Sequence, residues 1–384
     1  MATRKLYELD VLARTFTAQV LTCTPAKGGY AVTLDQTLFF PEGGGQMCDT
    51  GTLGGAQVTD VHERDGEIIH LCSAALSCGE TVQGEIDWAH RLDQMQQHSG
   101  EHMVSGLIHA RFGYDNVGFH IGKSEVTLDF NGTFPDGALA DIERTANEAI
   151  WENRPIAAYY PGREALESIV YRQKKPLEGD IRIVSIPGCD TCACCGTHVP
   201  YTGMVGLIKI VDAMHYKGGT RITIHCGNRA LRDYAQKHDA IRAAGALLCV
   251  KALDVPAAAQ RLMQTRDALN AQLDELSNAL FEAQKASSQG RVFLPCMRAP
   301  QMKKSAAALA GLYPLGAVFA GSAQGGWAFA LCAQPGAADA GAACRALCKA
   351  LGGKGGGSPE MAQGTLPAAE QELIVRTLDT LCTQ

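Results

Sequence analysis

Two segments far apart in the chain each set two metal-ligating residues four positions apart: His98 and His102 in Gln97-His98-Ser99-Gly100-Glu101-His102, and Cys194 and His198 in Cys194-Cys195-Gly196-Thr197-His198. A helix over Arg91–Phe112 puts both histidines of the first segment on one face. Any fold that uses the whole set must bring the two segments together across the intervening chain. Two imidazoles, a thiolate and a third imidazole suit zinc, which takes mixed nitrogen and sulfur ligands. The plainer readings are a pair of solvated helix histidines and a redox cysteine cluster. The joint pattern argues against them. The thiolate itself stays open, because Cys189/Cys192 and Cys192/Cys195 each form a C-x2-C pair able to bind metal without the histidines.

Fifteen cysteines in 384 residues raise the question of disulfides. A chain of this size builds cores without them, and Met-Ala-Thr-Arg-Lys at the N-terminus lacks the apolar stretch of a signal peptide. The reading is a cytoplasmic protein with reduced thiols and no membrane association, since no apolar run approaches the roughly 20 residues a span requires. With 46% hydrophobic and 19% charged residues, two or three soluble domains are expected. A net charge of −6 gives no global footprint for nucleic acid. RNA contact must then use local patches, for which the candidates are Arg172, Lys174 and Lys175, then Lys209, Lys217 and Arg221, then Arg298, Lys303 and Lys304.

The expected fold class is α+β. Apolar and polar positions alternate between glycine-rich turns over Ala18–Thr24, Tyr30–Asp35, Gln57–Arg64, Glu67–Cys72 and Thr81–Ile86, which predicts a small β-barrel in residues 1–90. The histidine helix follows, with strand pattern over Gly118–Phe130, a helix over Asp136–Trp151, and strands at Ile181–Ile186, Val205–Val211 and Arg221–Cys226. This predicts a zinc-bearing α+β domain over 91–227. Leu231, Tyr234, Ile241 and Leu248, then Leu262, Leu269, Leu273, Leu276 and Leu280 on either side of Pro256, predict an antiparallel helical hairpin spacer over 228–290. Residues 291–384, with apolar segments at Ala317–Ala320 and Trp327–Cys332, read as a small α/β domain.

The flanking residues carry a resemblance. Thr37-Leu38-Phe39-Phe40-Pro41-Glu42-Gly43-Gly44-Gly45-Gln46, Asp87-Trp88 leading into Met95-Gln96-Gln97-His98, and Asp190-Thr191-Cys192-Ala193-Cys194-Cys195-Gly196-Thr197-His198 resemble the editing domain of alanyl-tRNA synthetase. They are closer still to its free-standing relatives, the alanyl-tRNA editing proteins of the AlaX group. Gly352-Gly353-Lys354-Gly355-Gly356-Gly357-Ser358-Pro359-Glu360-Met361-Ala362-Gln363-Gly364 resembles the glycine-rich signature of the synthetase's C-terminal domain. Four motifs in the same order mark the long form of the group.

The resemblance implies one zinc per chain on His98, His102, Cys194 and His198, and hydrolysis of the ester joining an amino acid to the terminal ribose of mischarged tRNA(Ala). Ser-tRNA(Ala) is the implied substrate, with Gly-tRNA(Ala) left open as a second. Thr37 is the candidate reader of the serine hydroxyl, against the plainer reading of a strand threonine. Gly43, Gly44 and Gly45 offer backbone amides to the RNA or to a neighbouring domain, and Gln46 a hydrogen bond across that contact. His120 is a further polar candidate, or a satisfied core histidine. Asp190 is placed to orient a ligand imidazole. Lys354 is a candidate tRNA contact in a C-terminal domain that either binds tRNA or forms a homodimer. A non-catalytic zinc-containing tRNA-binding protein and a deacylase for another tRNA such as tRNA(Thr) are the alternatives. A complete synthetase is not expected, since the editing motifs begin within the first forty residues. The Asp-His-His motif of phosphoesterases that share the C-terminal domain is absent, and so is a Gly-x-Ser-x-Gly elbow.

Overall fold

The computed structural model describes residues 2–173 and 179–382. They form two units, residues 1–240 and 241–384, in a mixed α+β architecture.

In the first unit, strands Thr15–Ala26, Gly29–Leu34, Glu67–Cys72, Ala56–Arg64, Gly51–Leu53 and Thr81–Ile86 pair in that order, and the last pairs back with the first. Alternation decides which side chains point inward: in Thr15–Ala26, Phe16, Ala18 and Val20 are buried while their neighbours are exposed. Their core also holds Val32, Leu34, Leu38, Phe39, Leu53, Val61 and Ile68. The short strand Gly51–Leu53 had too few residues to show as a periodic segment.

Asp87 then caps helix α1, Trp88–Phe112, by accepting the His90 N–H at 3.1 Å, and Gly113 in the left-handed region ends it. From Gln94 to Ile108 nearly every side chain of α1 is buried. A helix enclosed on all sides has no wet stripe, so its residues serve packing and the site rather than solvent. Around it lie a four-stranded antiparallel sheet, in the order Ile208–Tyr216, Gly219–Cys226, Val126–Phe130, Asn116–Ile121, and helix α2, Ala138–Trp151. A three-stranded antiparallel sheet, Ala157–Tyr159, Ile183–Ile186 and Asp190–Ala193, carries the second metal-ligating segment. The single segment expected at Gly118–Phe130 is thus a hairpin of two strands.

Two helices follow, Asn228–Leu248 and Val255–Lys285. Pro256 opens the second helix at its first turn, where its missing N–H costs no hydrogen bond. Leu262, Leu269 and Leu276 of the predicted apolar seam are 60%, 59% and 66% exposed. In the second unit a five-stranded sheet runs Arg291–Leu294, Leu315–Ser322, Gly326–Ala333, Met361–Leu366, Lys354–Gly357, with helices Ala299–Ala310, Ala340–Leu351 and Gln371–Cys382. The glycine signature forms its last hairpin. A Cβ at Gly355 would meet the Gln363 carbonyl oxygen at 2.7 Å and Cys344 Sγ at 2.8 Å, so this strand approaches its neighbours more closely than a side chain allows. No helix among the described residues is long and apolar enough to cross a membrane.

One buried ion pair joins α1 to the barrel. Arg91 and Asp49 are both fully buried; Arg91 Nε donates to Asp49 Oδ1 at 2.9 Å, and its Nη2 to Asp49 Oδ2 and to the Leu38 carbonyl at 2.6 Å. Asp49 also accepts the Phe40 N–H at 2.6 Å. Asp49→Ala would leave the guanidinium buried without its counter-charge and is expected to cost about 3–5 kcal/mol. Urea unfolding measures this. A midpoint equal to the parent's would show that the pair does not hold the two parts together.

Candidate metal centre

Helix α1 presents His98 and His102 on one face, and the loop after Asp190–Ala193 brings Cys194 and His198 against them. The ligating atoms of these four residues all lie within 4.8 Å of one another. Cys194 Sγ is 3.4 Å from His98 Nε2 and 3.5 Å from His198 Nε2. The outward nitrogens are all held. Gln46 Oε1 accepts the Thr197 N–H at 3.1 Å, which identifies it as the amide oxygen, so His98 Nδ1, 3.0 Å away, is the donor in that contact. His102 Nδ1 donates to Asp190 at 2.9 Å. His198 Nδ1 lies 3.3 Å from Ser99 Oγ, which also accepts the Val199 N–H. Holding Nδ1 outward turns each Nε2 toward the common point, the orientation metal-binding histidines require.

Electrostatics separate the cysteines. Burial by itself would raise the Cys194 thiol, but the charges of His98 and His102 and hydrogen bonds from His102 and His198 outweigh it and hold the thiol well below its ordinary value. Burial pushes Cys189, Cys192 and Cys195 upward instead. His102 is raised well above its usual range despite burial, by Cys194 and Asp190, whereas burial and the neighbouring His98 push His198 down to about 3. Without a cation the cluster thus places a proton beside its thiolate. Cys192 falls in a different grouping, with His102 and Asp190, where Arg172 already neutralises the carboxylate through contacts of 2.8 and 2.7 Å.

Gly43 and Gln46 close a tight turn by exchanging backbone hydrogen bonds of 3.1 and 3.0 Å. Within it Gly45 has φ +84°, and a Cβ there would stand 2.7 Å from Phe119. Gln46 also donates to Thr197 Oγ1 at 2.7 Å, so this one side chain fastens the glycine turn to the ligand loop. Gly44, Gly45, His98, His102, Cys194 and Cys195 line part of a cavity of 1380 Å³.

Other sequence candidates lie elsewhere. Thr37 is fully buried inside the barrel and is not among the cavity-lining residues. His70 Nδ1 donates to the Val32 carbonyl and burial drives its pKa down to about 4, so its neutral Nε2 accepts the Thr37 hydroxyl at 2.9 Å. His120 is exposed on its strand rather than in the core or the cavity wall; strand alternation sends its neighbour Phe119 inward to stack on His98, with ring centroids 5.4 Å apart. Lys354 is exposed on the edge strand of the second unit. Several proposed RNA patches are internally paired: Arg172 with Asp190, Lys209 with Glu143 at 2.6 Å, Arg221 with Asp129, and Arg298 with Asp274. Lys174 and Lys175 lie outside the described residues.

Arg172, Ser99 and Glu101 were missed as parts of the site. Glu101 accepts from Ser105 Oγ at 2.8 Å and Asn116 Nδ2 at 2.6 Å, with Oε2 3.8 Å from His102 Nε2. The sequence showed only that Glu101 directly precedes a ligand histidine; burial of the whole helix, which keeps its carboxylate from water, is supplied by the fold.

Over 275 residues the chain is 31% identical to the alanyl-tRNA editing protein Aarsd1 of Rattus norvegicus, covering 67% of each protein. The chain belongs to the alanyl-tRNA editing protein family. The Aarsd1 of Danio rerio is 33% identical over 59% of each chain, so the present chain spans about three fifths of that relative's length. An alanine–tRNA ligase of Ignicoccus hospitalis is 30% identical over 99% of this chain and 43% of the ligase. Residues 181–223 match the threonyl and alanyl tRNA synthetase second additional domain, and residues 10–90 match the class II (A) tRNA synthetases. In this member of the editing family the first match contains Cys194 and His198, two of the four candidate ligands, together with Asp190.

The depressed thiol gives an expected outcome independent of activity. Chelator-treated protein at neutral pH should show a thiolate ultraviolet absorbance that disappears in Cys194→Ala and persists in Cys192→Ala. The opposite pattern would move the ligand to Cys192.

Proposed function

We propose that the protein is a cytoplasmic trans-editing deacylase that hydrolyses the aminoacyl ester of Ser-tRNA(Ala), with Gly-tRNA(Ala) as a second substrate to be tested. The observation that carries this reading is the convergence of three oriented imidazoles and one depressed thiol on a point at the wall of a large cavity. The donor set fits one zinc ion held by His98, His102, Cys194 and His198. Bound there, zinc would supply a Lewis acid, able to orient or polarise the aminoacyl group only if one ligand is displaced or the coordination expands. Four protein ligands complete a tetrahedral shell, so the remaining work falls to this chain's own groups. Gln46, Asp190 and Ser99 fix the imidazoles, and the backbone of Gly44 and Gly45 borders the space where the ester must lie. The ester is activated, so positioning a water against it and excluding bulk solvent accomplishes much of the reaction.

Serine must be cut while alanine survives, which a site that hydrogen-bonds the serine hydroxyl achieves by leaving a buried group unpaired when alanine enters. Thr37→Val separates two roles. A direct reader would lose discrimination with the barrel intact; a barrel lock would lose stability with discrimination retained. The His70 contact favours the second. Residues 1–90 and 91–227 are assigned the chemistry, 228–290 the spacer and 291–384 tRNA capture, with Lys303, Lys304, Lys349 or Lys354 as phosphate contacts. A homodimer through the C-terminal region is the alternative role of residues 291–384, and the exposed Leu262, Leu269 and Leu276 of the spacer helix offer a further apolar face. A deacylase for tRNA(Thr) is the second reading, favoured by a domain model that covers both synthetases; the named relatives favour alanine.

Deacylation of Ser-, Gly- and Ala-tRNA(Ala) with and without chelator is the deciding assay. Ser-tRNA(Ala) should be hydrolysed at least about a hundredfold faster than Ala-tRNA(Ala), and chelator should abolish the activity. A zinc-loaded protein inert on all three substrates would leave the non-catalytic tRNA-binding reading. Gln46→Ala should weaken zinc binding by about 10–100-fold, measured by competition with a chromogenic chelator. Unchanged affinity would remove Gln46 from the metal site's support. Replacing Lys303, Lys304 and Lys354 together by alanine should raise KM and flatten its dependence on salt, with kcat nearly unchanged. If KM and its salt slope match the parent's, capture lies elsewhere.

A further inference from the structure

The cavity is larger than an amino acid needs. At 1380 Å³ it exceeds the roughly 300–1,000 Å³ of pockets that enclose drug-sized ligands. A seryl group at the metal cluster leaves most of this space empty, and the ribose bearing the ester carries a base that must lie close by. Away from the cluster the wall carries the aromatic side chains Tyr160 and Tyr171, with Arg182 beside them. Phe119, the other aromatic ring in the wall, is already stacked on His98.

Tyr160 differs from its neighbours in being anchored at one end and open at the other. It follows directly on strand Ala157–Tyr159, whose register with Ile183–Ile186 sets it beside the ligand-bearing sheet. Its hydroxyl donates to the Glu8 carboxylate at 3.2 and 3.3 Å, while 51% of the residue remains exposed. Burial and the Glu8 charge raise the phenol, which keeps it a donor in that contact. Arg182, in the same wall, donates to the Cys194 and Gly196 carbonyls at 3.1 and 2.8 Å and so ties this part of the wall to the ligand loop. A ring held by its far end with its surface open is preorganised for stacking, because little side-chain freedom is left to lose on binding.

We infer that Tyr160 is the stacking platform for the 3′-terminal base of the tRNA, an inference that rests on the deacylase reading. Stacking tolerates any base, so Tyr160 serves placement of the ester rather than choice of tRNA.

The test uses full-length zinc-loaded protein and uncharged tRNA(Ala) ending in 2-aminopurine, whose fluorescence is quenched when it stacks. Parent protein should quench it. Tyr160→Ala should abolish the quench and raise KM for Ser-tRNA(Ala) by about tenfold with normal zinc content, and Tyr160→Trp should restore both. Quenching and KM unchanged in Tyr160→Ala, or quenching lost only in Tyr171→Ala, would overturn the assignment while leaving the deacylase reading intact. Parent protein that hydrolyses no aminoacyl-tRNA would instead remove the reading on which the assignment rests.

Discussion

The buried Arg91–Asp49 pair fixes the angular setting of α1, and the metal cluster depends on that setting. Arg91 stands two helical turns before His98, so the two residues lie on nearly the same face. Opposite them, Asp49 and Gln46 stand three residues apart on the stretch that leaves the glycine turn. Arg91 to Asp49 and His98 to Gln46 are therefore two rungs between the same helix and the same piece of barrel. A turn of the helix about its axis would break both. The first rung leaves two charges without water, so it holds only while geometry is maintained. That penalty makes the helix setting discrete rather than adjustable, and the imidazole Nε2 atoms inherit the precision.

The charges around the cluster explain how a cation site can sit inside a protein core. Asp190 balances Arg172 while accepting His102 Nδ1–H, and its carboxyl stays low because those two partners outweigh burial. Cys194 stays low because the histidines surround it. Without a cation the balance is struck by drawing a proton onto His102. A zinc ion would take that role with better geometry, since one ion engages all four donors where a proton is shared by two.

What the sequence made legible follows from how local each signal was. The four-residue spacings and the alternating strands depend on neighbours in the chain, and both reappear in the structure, whereas α1 starts at Trp88, after the Asp87 cap, three residues before the expected Arg91. Gln46 was legible as a polar residue beside a glycine turn, but its partners Thr197 and His98 were not, because they are far along the chain. Thr37 and His120 show the limit of motif proximity. Both flank the right motifs, yet Thr37, in the short strand Gln36–Thr37 paired with Arg4–Lys5, is buried against His70, and the strand phase of His120 leaves it in solvent. The basic patches show a related limit: composition counts Arg172, Lys209 and Arg221 as free charges, and only the folded chain supplies Asp190, Glu143 and Asp129 as their partners.

Those pairings bear on where binding energy for RNA can reside. A cation already matched to a carboxylate releases few counterions when it meets a phosphate, because its field is largely cancelled beforehand. In the first unit Arg172, Lys209 and Arg221 are matched in this way, and the cavity beside them has Tyr160 and Tyr171 in its wall, so under the proposed function it would suit one unpaired nucleotide better than a helical stem. The glycine-rich hairpin of the second unit is dictated by crowding at Gly355, so its composition by itself argues packing. What packing does not explain is that Lys354–Gly357 is exposed throughout and forms the edge of its sheet. An edge strand almost bare of side chains presents backbone N–H groups that a phosphate can approach closely, with Lys354 at its start to supply the charge. Under the proposed function, capture and chemistry would follow different physics, one electrostatic and salt-dependent, the other a matter of fixed geometry around a buried cluster.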